Sequence, residues 1–299
     1  MSNVLSSLSD DLAGVVESAG KSVVRVEARR RHPANGIVWS DDGLVVTANH
    51  VVESDNEIVV GMPDGKTVKA SLVGRDPTTD ITVLRAEASG LTTPTIDSTD
   101  GPRVGNIVLV LGRPGQSVLA TMGIVSAVGE AWRTGAGGRI NSYLQTDVVM
   151  YPGFSGGPLV DARGQVLGLS TSGLTRGASV ASPTRTLSSV VQVLLEHGRI
   201  RRGYLGIGAQ PVRLSATVAK AIGQETGLLL VSVEPEAPAE QAGLAIGDTI
   251  IAVDGQAVRH LDELLSALGG DRIGDSIRVQ IVKGGETQEV SATVGERPE

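Results

Sequence analysis

The sequence predicts a mainly β chain of two domains: an antiparallel barrel or sandwich, then a smaller unit mixing strands with a helix. Three observations carry this. The chain has 299 residues, and at roughly 150 residues per domain that length suggests two. From Val23 to about Gly168 the pattern is short apolar runs separated by turn chemistry. Thirty-nine residues are glycine, about twice the average share. No Gly-x-y period accompanies them, so they read as turns joining many short strands.

The elements follow in chain order. Residues 4–19 space Leu5, Leu8, Leu12, Val15 and Val16 as an amphipathic helix. The runs SVVRVEA, GLVVTA, EIVVGM, DITVLRA, NIVLVLG and QVLGLS read as strands, separated by DDG, PDG, DPTTD, GRPG, GAGG and DARG. A helix is predicted at about Leu187 to His197, with Leu187, Val190, Val191, Leu194 and Leu195 on one face and Gly198 ending it. GRIRRG at 198–203 reads as a linker, which gives domains of 1–198 and 199–299. Strands are expected near Leu205–Gln210, Gly227–Val233, Thr249–Val253, Ile277–Val282 and Thr287–Val294, with a helix at 261–268. Asp254-Gly255 reads as a tight hairpin turn.

Composition removes several function classes. There is no cysteine, hence no disulfide, thiolate metal site or cysteine nucleophile. Aromatics are two Trp, three Tyr and one Phe, so the core must be aliphatic and no base-stacking platform exists. A net charge of −7 argues against nucleic acid or an anionic membrane as partner. The basic clusters Arg29-Arg30-Arg31 and Arg199 to Arg202 are short and read as solvated charge. GRPGQS at 112–117 lacks the Lys-Ser/Thr of a phosphate loop. No His/Asp/Glu cluster has metal spacing, so no cofactor and no metal is expected. The amino terminus has no basic start and no cleavage site, and no apolar run reaches 18 residues. As written, the chain is expected in the cytoplasm without a membrane span; it would be periplasmic or extracytoplasmic if an export segment has been removed.

The most informative segment is YPGFSGGPLVD, residues 151–161. Ser155 is a nucleophile candidate. Backbone N–H groups of Gly153 and Ser155 can aim at one point as an oxyanion hole, and Gly156 and Gly157 let backbone pass a substrate closely. A Gly-Ser turn between strands is the plain alternative. The base must come from four histidines. His32 precedes a proline in a loop, His197 suits a helix C-terminus, and His260 opens a helix. His50 sits just past an apolar strand, where it suits a cleft, or simply a satisfied polar residue. Asp80 begins the strand ITVL and can be held firmly, whereas Asp76 before Pro77 reads as a turn residue. The order His50, Asp80, Ser155 is that of the chymotrypsin-type triad.

Four segments together resemble the HtrA/Deg family of serine proteases: TANHVV around His50, GRDPTTDITVLR around Asp80, LGRPGQSVLATMGIVSAVGE at 111–130, and LQTDVVMYPGFSGGPLVDARGQVLG at 144–168. The resemblance spans about residues 10 to 295. It implies a trypsin-like double β-barrel, then a smaller PDZ-like α+β domain. It also implies a serine endopeptidase acting on unfolded or misfolded proteins, without ATP and regulated by peptide at the PDZ domain. A peptide-binding chaperone or scaffold with an inactive protease is the alternative. Roles implied are Ser155 as nucleophile, His50 as base and Asp80 as its orienting partner. Val149, six before the nucleophile, would floor the specificity pocket, with Leu169, Ser170 and Thr171 as its wall. An aliphatic residue before the scissile bond should then be preferred. Family trimers are joined through aromatic residues near the amino terminus. None precedes Trp39 here, so Leu5, Leu8 and Leu12 would have to supply the contact of a homo-oligomer.

A second departure is Phe154, where the family usually carries Asn. It either fills a gap or sets the neighbouring peptide plane as a switch. In the last third, RRGYLGIGAQ resembles the carboxylate-binding loop of a PDZ domain, and APAEQAGLAIGDTIIAVDGQAV at 237–258 is PDZ-like. A carboxyl-terminal peptide would add as a strand beside Leu205 to Gln210. Its carboxylate would sit at Tyr204, Leu205, Gly206 and Ile207, with Arg202 assisting.

Overall fold

A computed structural model describes residues 3–29, 32–97, 101–175 and 177–297. Arg30 and Arg31 of the first basic cluster lie outside the described residues. The chain divides into two compact units, residues 1–200 and 201–299.

The first unit opens with α1 (Val4–Ala19), capped by the Asn3 side chain accepting from Leu5 N at 3.2 Å. Leu12, Val15, Val16 and Ala19 pack on the first core, while Val4, Leu5 and Leu8 stay exposed. Leu12 is therefore partly buried against its own domain.

Two closed six-stranded antiparallel barrels follow. The first contains β1 (Val23–Glu27), β2 (Ala34–Val38), β3 (Leu44–Ala48), β4 (Ile58–Gly61), β5 (Thr67–Asp76) and β6 (Ile81–Ala86), closed in the order β1-β2-β3-β6-β5-β4. Every residue of β2 and β3 is buried. Such strands read as continuous apolar runs because both faces are covered. The second barrel uses β7 (Ile107–Gly112) and β8 (Leu119–Gly129). After a short ribbon of β9 (Trp132–Arg133) and β10 (Arg139–Ile140) come β11 (Tyr143–Thr146), β12 (Pro158–Asp161), β13 (Val166–Thr171) and β14 (Ser179–Pro183). Its closure is β11-β14-β13-β12-β7-β8. The barrels meet where β13 runs against β3 and β7 against β1. Helix α2 (Thr184–His197) lies on β5, β6, β13 and β14 and ends at Gly198, whose φ of 72° closes a left-handed cap.

The second unit holds a sheet ordered β16-β17-β18-β20-β21, with β19 paired to β18. Its strands are β15 (Gly203–Tyr204), β16 (Ile207–Arg213), β17 (Thr226–Val233), β18 (Thr249–Val253), β19 (Gln256–Ala257), β20 (Ser276–Lys283), β21 (Glu286–Thr293) and β22 (Gly295–Glu296). Helices α3 (Ala216–Ile222), α4 (Pro238–Gln241) and α5 (Leu261–Ala267) complete it. Asp254 and Gly255 both have positive φ, 48° and 78°, the primed turn joining β18 to β19.

Phe154 is 1% exposed among Val108, Val110, Val125, Leu144, Val148, Leu159, Leu167 and Ala181, the core of the second barrel. The ring fills this otherwise aliphatic core. The adjoining peptide plane is held at both ends: Phe154 N donates to Tyr151 O at 3.0 Å, and Gly153 O accepts from the Asn35 amide. This burial is what the gap-filling reading expects. Phe154→Ala should lower stability by about 3–5 kcal/mol through the cavity it leaves, read as a drop in the urea midpoint at unchanged slope. A loss under 1 kcal/mol, on the scale of a surface change, would show that the barrel collapses around the gap.

Candidate active site

His50 lies in a 3₁₀ turn, Asn49–Val51, directly after β3. The turn is fixed from below by Asn49 N donating to Asp80 O at 3.0 Å. Asp80 follows a self-bonded turn. Asp76 Oδ1 accepts from Thr78 N at 3.0 Å, and Asp76 Oδ2 accepts from Thr79 Oγ1 at 2.7 Å. Asp80 itself has φ 57°, a left-handed conformation that Asp tolerates better than most residues. That local strain accompanies a carboxylate turned back onto His50.

The carboxylate accepts three hydrogen bonds. Oδ1 takes His50 N at 2.8 Å, and Oδ2 pairs with His50 Nδ1 at 2.8 Å and accepts from Thr171 Oγ1. A carboxylate oxygen only accepts, so Nδ1 carries the ring proton and Nε2 presents its lone pair outward. Gly173 makes this approach possible. A Cβ there would stand 2.5 Å from Asp80 Oδ2 and 2.9 Å from His50 Nδ1.

Ser155 lies between β11 and β12 in a turn pressed against β2. Asn35 N donates to Ser155 O at 3.0 Å, and Gly156 N donates to Ser170 O at 2.9 Å. Gly156 has φ 87°, and a Cβ there would collide with Asn35 O. Ser155 Oγ bonds Ser172 Oγ at 3.2 Å, and Ser172 Oγ lies 3.5 Å from His50 Nε2. The structure thus brings His50, Asp80 and Ser155 together with a second hydroxyl between base and serine. Among the described residues, neither the Gly153 nor the Ser155 N–H donates to a protein acceptor. The other three histidines lie elsewhere: His32 before β2, His197 in the last turn of α2, and His260 at the N-cap of α5.

The four residues assigned to a specificity pocket are divided between surface and core. Val149 is 56% exposed. Leu169 is fully buried in the core, Thr171 spends its hydroxyl on Asp80, and among the described residues the buried Ser170 Oγ has no partner. The sequence reading missed Ser172 and Asn35 altogether. The pair of hydroxyls at the end of β13 was the signal for the first; nothing local marked the second.

In the second unit, Tyr204 closes β15 and its hydroxyl donates to Glu234 Oε2 at 2.5 Å. That bond pushes the phenol above its ordinary pKa. Leu205 is buried in the core, and its carbonyl accepts from Ala239 N at 2.9 Å. Gly206 O accepts from Glu234 N at 2.8 Å. Among the described residues the N–H groups of Leu205 and Gly206 donate to no protein acceptor. Ile207 begins β16, an edge strand with α5 beside it. Pro211 within β16 suits an edge, where one missing N–H is tolerated.

A family model of the trypsin-like peptidase domain matches residues 34–169, and one of the PDZ domain matches residues 203–294. The fold superimposes on the serine endoprotease from Yersinia pestis with a TM-score of 0.80 and 31% identity, over 96% of this chain and 98% of that one. The chain belongs to the HtrA/Deg family. The HtrA-type protease AlgW, solved with a decapeptide, matches with a TM-score of 0.80 and 29% identity over 96% of this chain and 99% of that one. A probable periplasmic serine endoprotease, DegP-like, of Halomonas elongata is 35% identical over 276 residues, 90% of this chain. A DegP-like relative in Chlamydia trachomatis is 33% identical over 280 residues, 92% of this chain. This HtrA/Deg chain spans 58% and 56% of the length of those two curated relatives. Among its described residues no helix is long and apolar enough to cross a membrane.

Gly173→Ala should break the Asp80–His50 contact, because the added methyl falls inside the closest distances that Cβ atoms adopt. The low-field proton NMR signal of His50 Nδ1–H should disappear while the thermal midpoint moves by only a few degrees. An unshifted signal would show that the 172–175 loop yields instead.

Proposed function

We propose that the chain is an ATP-independent serine endopeptidase that cuts unfolded or misfolded polypeptides and is regulated by peptide at its PDZ domain. The observation that carries the reading is the buried Asp80 carboxylate fixing the His50 tautomer, with Ser155 one hydroxyl away from Nε2. Ser155 Oγ attacks the scissile carbonyl carbon and its proton passes to His50 Nε2. The carbonyl oxygen becomes an oxyanion facing the unbonded N–H groups of Gly153 and Ser155. Collapse expels the amine, which takes the proton from Nε2. Water then repeats the sequence on the acyl-enzyme and releases the acid. The sum is hydrolysis, and no step consumes ATP. Before attack, Ser155 must exchange Ser172 for His50 Nε2; catalytic hydrogen bonds often tighten in this way only when substrate binds.

Support for an unfolded substrate comes from the exposed apolar side chains of Val149 and Tyr151 just before the nucleophile turn, and from the relatives' names as endoproteases. Val149, six before Ser155, is exposed and uncharged and offers a cation no partner, which supports a preference for aliphatic residues before the scissile bond. The relatives are named as periplasmic, and we infer the same setting here. We infer a homo-oligomer as well, with the exposed Leu5 and Leu8 as its apolar contact.

Capture of carboxyl-terminal peptides is supported by the free edge of β16 and the unbonded N–H groups of Leu205 and Gly206. The Ser155–Ser172 bond favours one second reading, a peptide-binding scaffold whose protease is held inactive. Labelling of Ser155 by a fluorophosphonate supports the enzyme; silence with peptide bound supports the scaffold.

Ser155→Ala should lower casein cleavage by a factor on the order of 10⁶, and His50→Ala by a similar factor, because triad members act as a unit. Fragments from the wild type should follow Val, Ala or Leu. A map dominated by Arg and Lys would overturn the pocket assignment, and casein digestion by Ser155→Ala at the wild-type rate would overturn the nucleophile. With Ser155→Ala as the binding form, calorimetry should find a peptide with a free apolar carboxyl terminus bound at least about tenfold more tightly than its amide, the loss of a charge-assisted hydrogen bond. Equal affinities would remove the carboxylate from the binding mode.

A further inference from the structure

Asn35, in β2 of the first barrel, is fully buried, and each of its four polar atoms has a partner. Its backbone N donates to Ser155 O at 3.0 Å, and its backbone O accepts from Thr47 Oγ1 at 2.6 Å. In the side chain, Nδ2 donates to Gly153 O and Oδ1 accepts from Arg113 N. The amide orientation is therefore set by its neighbours, since the flipped amide would oppose oxygen to oxygen and N–H to N–H. Arg113 is itself immobilised. It is buried, and its guanidinium donates to Gly20 O and Val23 O, each at 2.9 Å, and to Gln116 O.

The two residues Asn35 grips, 153 and 155, are two whose N–H groups, among the described residues, donate to no protein acceptor. Gly153 has φ 92°, a region where glycine meets little steric restraint. Its own backbone therefore does not fix where its N–H points. The next side chain cannot supply a polar restraint either, because Phe154 is turned into the barrel core. The brace comes from across the barrel junction.

We propose that Asn35 is a positioning residue for the oxyanion site: its amide anchors the Gly153–Phe154 peptide and its backbone N–H anchors the Ser155 carbonyl, so the Cα atoms that carry the Gly153 and Ser155 N–H groups are held in place relative to one another. The inference rests on the serine endopeptidase reading. Asn35 touches neither substrate nor the reacting atoms; it acts through the two residues it restrains.

The test uses the full chain with Asn35→Ser, which shortens the side chain out of reach, and Asn35→Asp, which replaces the donor at unchanged size. A peptide p-nitroanilide ending in valine reports kcat and KM. A peptide boronate of the same sequence reports affinity for a tetrahedral, oxyanion-bearing adduct. Both variants should lose about tenfold to a hundredfold in kcat with KM little changed, the scale expected for a slightly misaimed oxyanion donor. Boronate affinity should fall by the same factor as kcat/KM, while the low-field His50 Nδ1–H signal persists. A kcat within about twofold of wild type in both variants overturns the inference. So does a loss of kcat accompanied by loss of the His50 signal and of affinity for an uncleaved peptide, which would assign Asn35 to general barrel packing. A wild type that neither cleaves nor takes up a fluorophosphonate overturns the endopeptidase reading, and the inference with it.

Discussion

Buried polar groups at the junction of two barrels must find their partners across that junction, and the rest of the first domain is arranged around this requirement. Asp80 belongs to the first barrel but takes one of its three donors from Thr171 of the second. Ser155 belongs to the second, and its carbonyl is satisfied by Asn35 N of the first. Each such group left unsatisfied would cost about 1–3 kcal/mol. Sliding one barrel against the other breaks several at once, so the bonds that register the barrels also register the candidate reacting groups. The aliphatic cores supply cohesion but little direction. The polar seam supplies direction.

The same economy explains the shape of the nucleophile turn. It is held by its carbonyl oxygens: Gly153 O and Ser155 O face Asn35, and Gly157 O faces Ser170 N. Carbonyls spent on structure leave N–H groups free at residues 153 and 155. Backbone N–H groups left free in this way are the raw material of an anion-binding concavity. The second domain repeats the arrangement in a different fold. Leu205 O and Gly206 O are occupied by Ala239 N and Glu234 N, while the adjoining N–H groups are left unbonded.

Much of this was legible in the sequence, and the exceptions have physical causes. Val23–Glu27, Leu44–Ala48 and Ile81–Ala86 were readable as apolar runs because both faces of each are covered. Thr67–Asp76 and Leu119–Gly129 were not read as strands, since they carry polar or exposed residues along much of their length. Ala34–Val38 was hidden by the neighbouring Pro33 and the internal Gly36, which mimic a loop. That is also why Asn35 escaped notice. The order and spacing of His50, Asp80 and Ser155 carried the triad, because turn chemistry placed two of them beside strand ends. Exposure was not legible: the offset of Val149 from Ser155 says nothing about what covers it. Thr171 was expected only in the pocket wall, and its bond to Asp80 was not foreseen, since alternation along β13 does not say which hydroxyl meets the carboxylate.

Gly156 and Gly173 leave no space for a side chain, the first against Asn35 O and the second against Asp80 and His50. Inheritance at this site is thereby channelled. The turn itself is nearly closed to mutational drift, while the residues that brace it are free to be exchanged, provided a donor still reaches the Gly153 carbonyl. A brace inside the turn and a brace on the opposite barrel are alternative solutions to one geometric demand. Divergence among distant relatives should then be sought in coupled changes across the barrel junction, which a census of His50, Asp80 and Ser155 alone would never register.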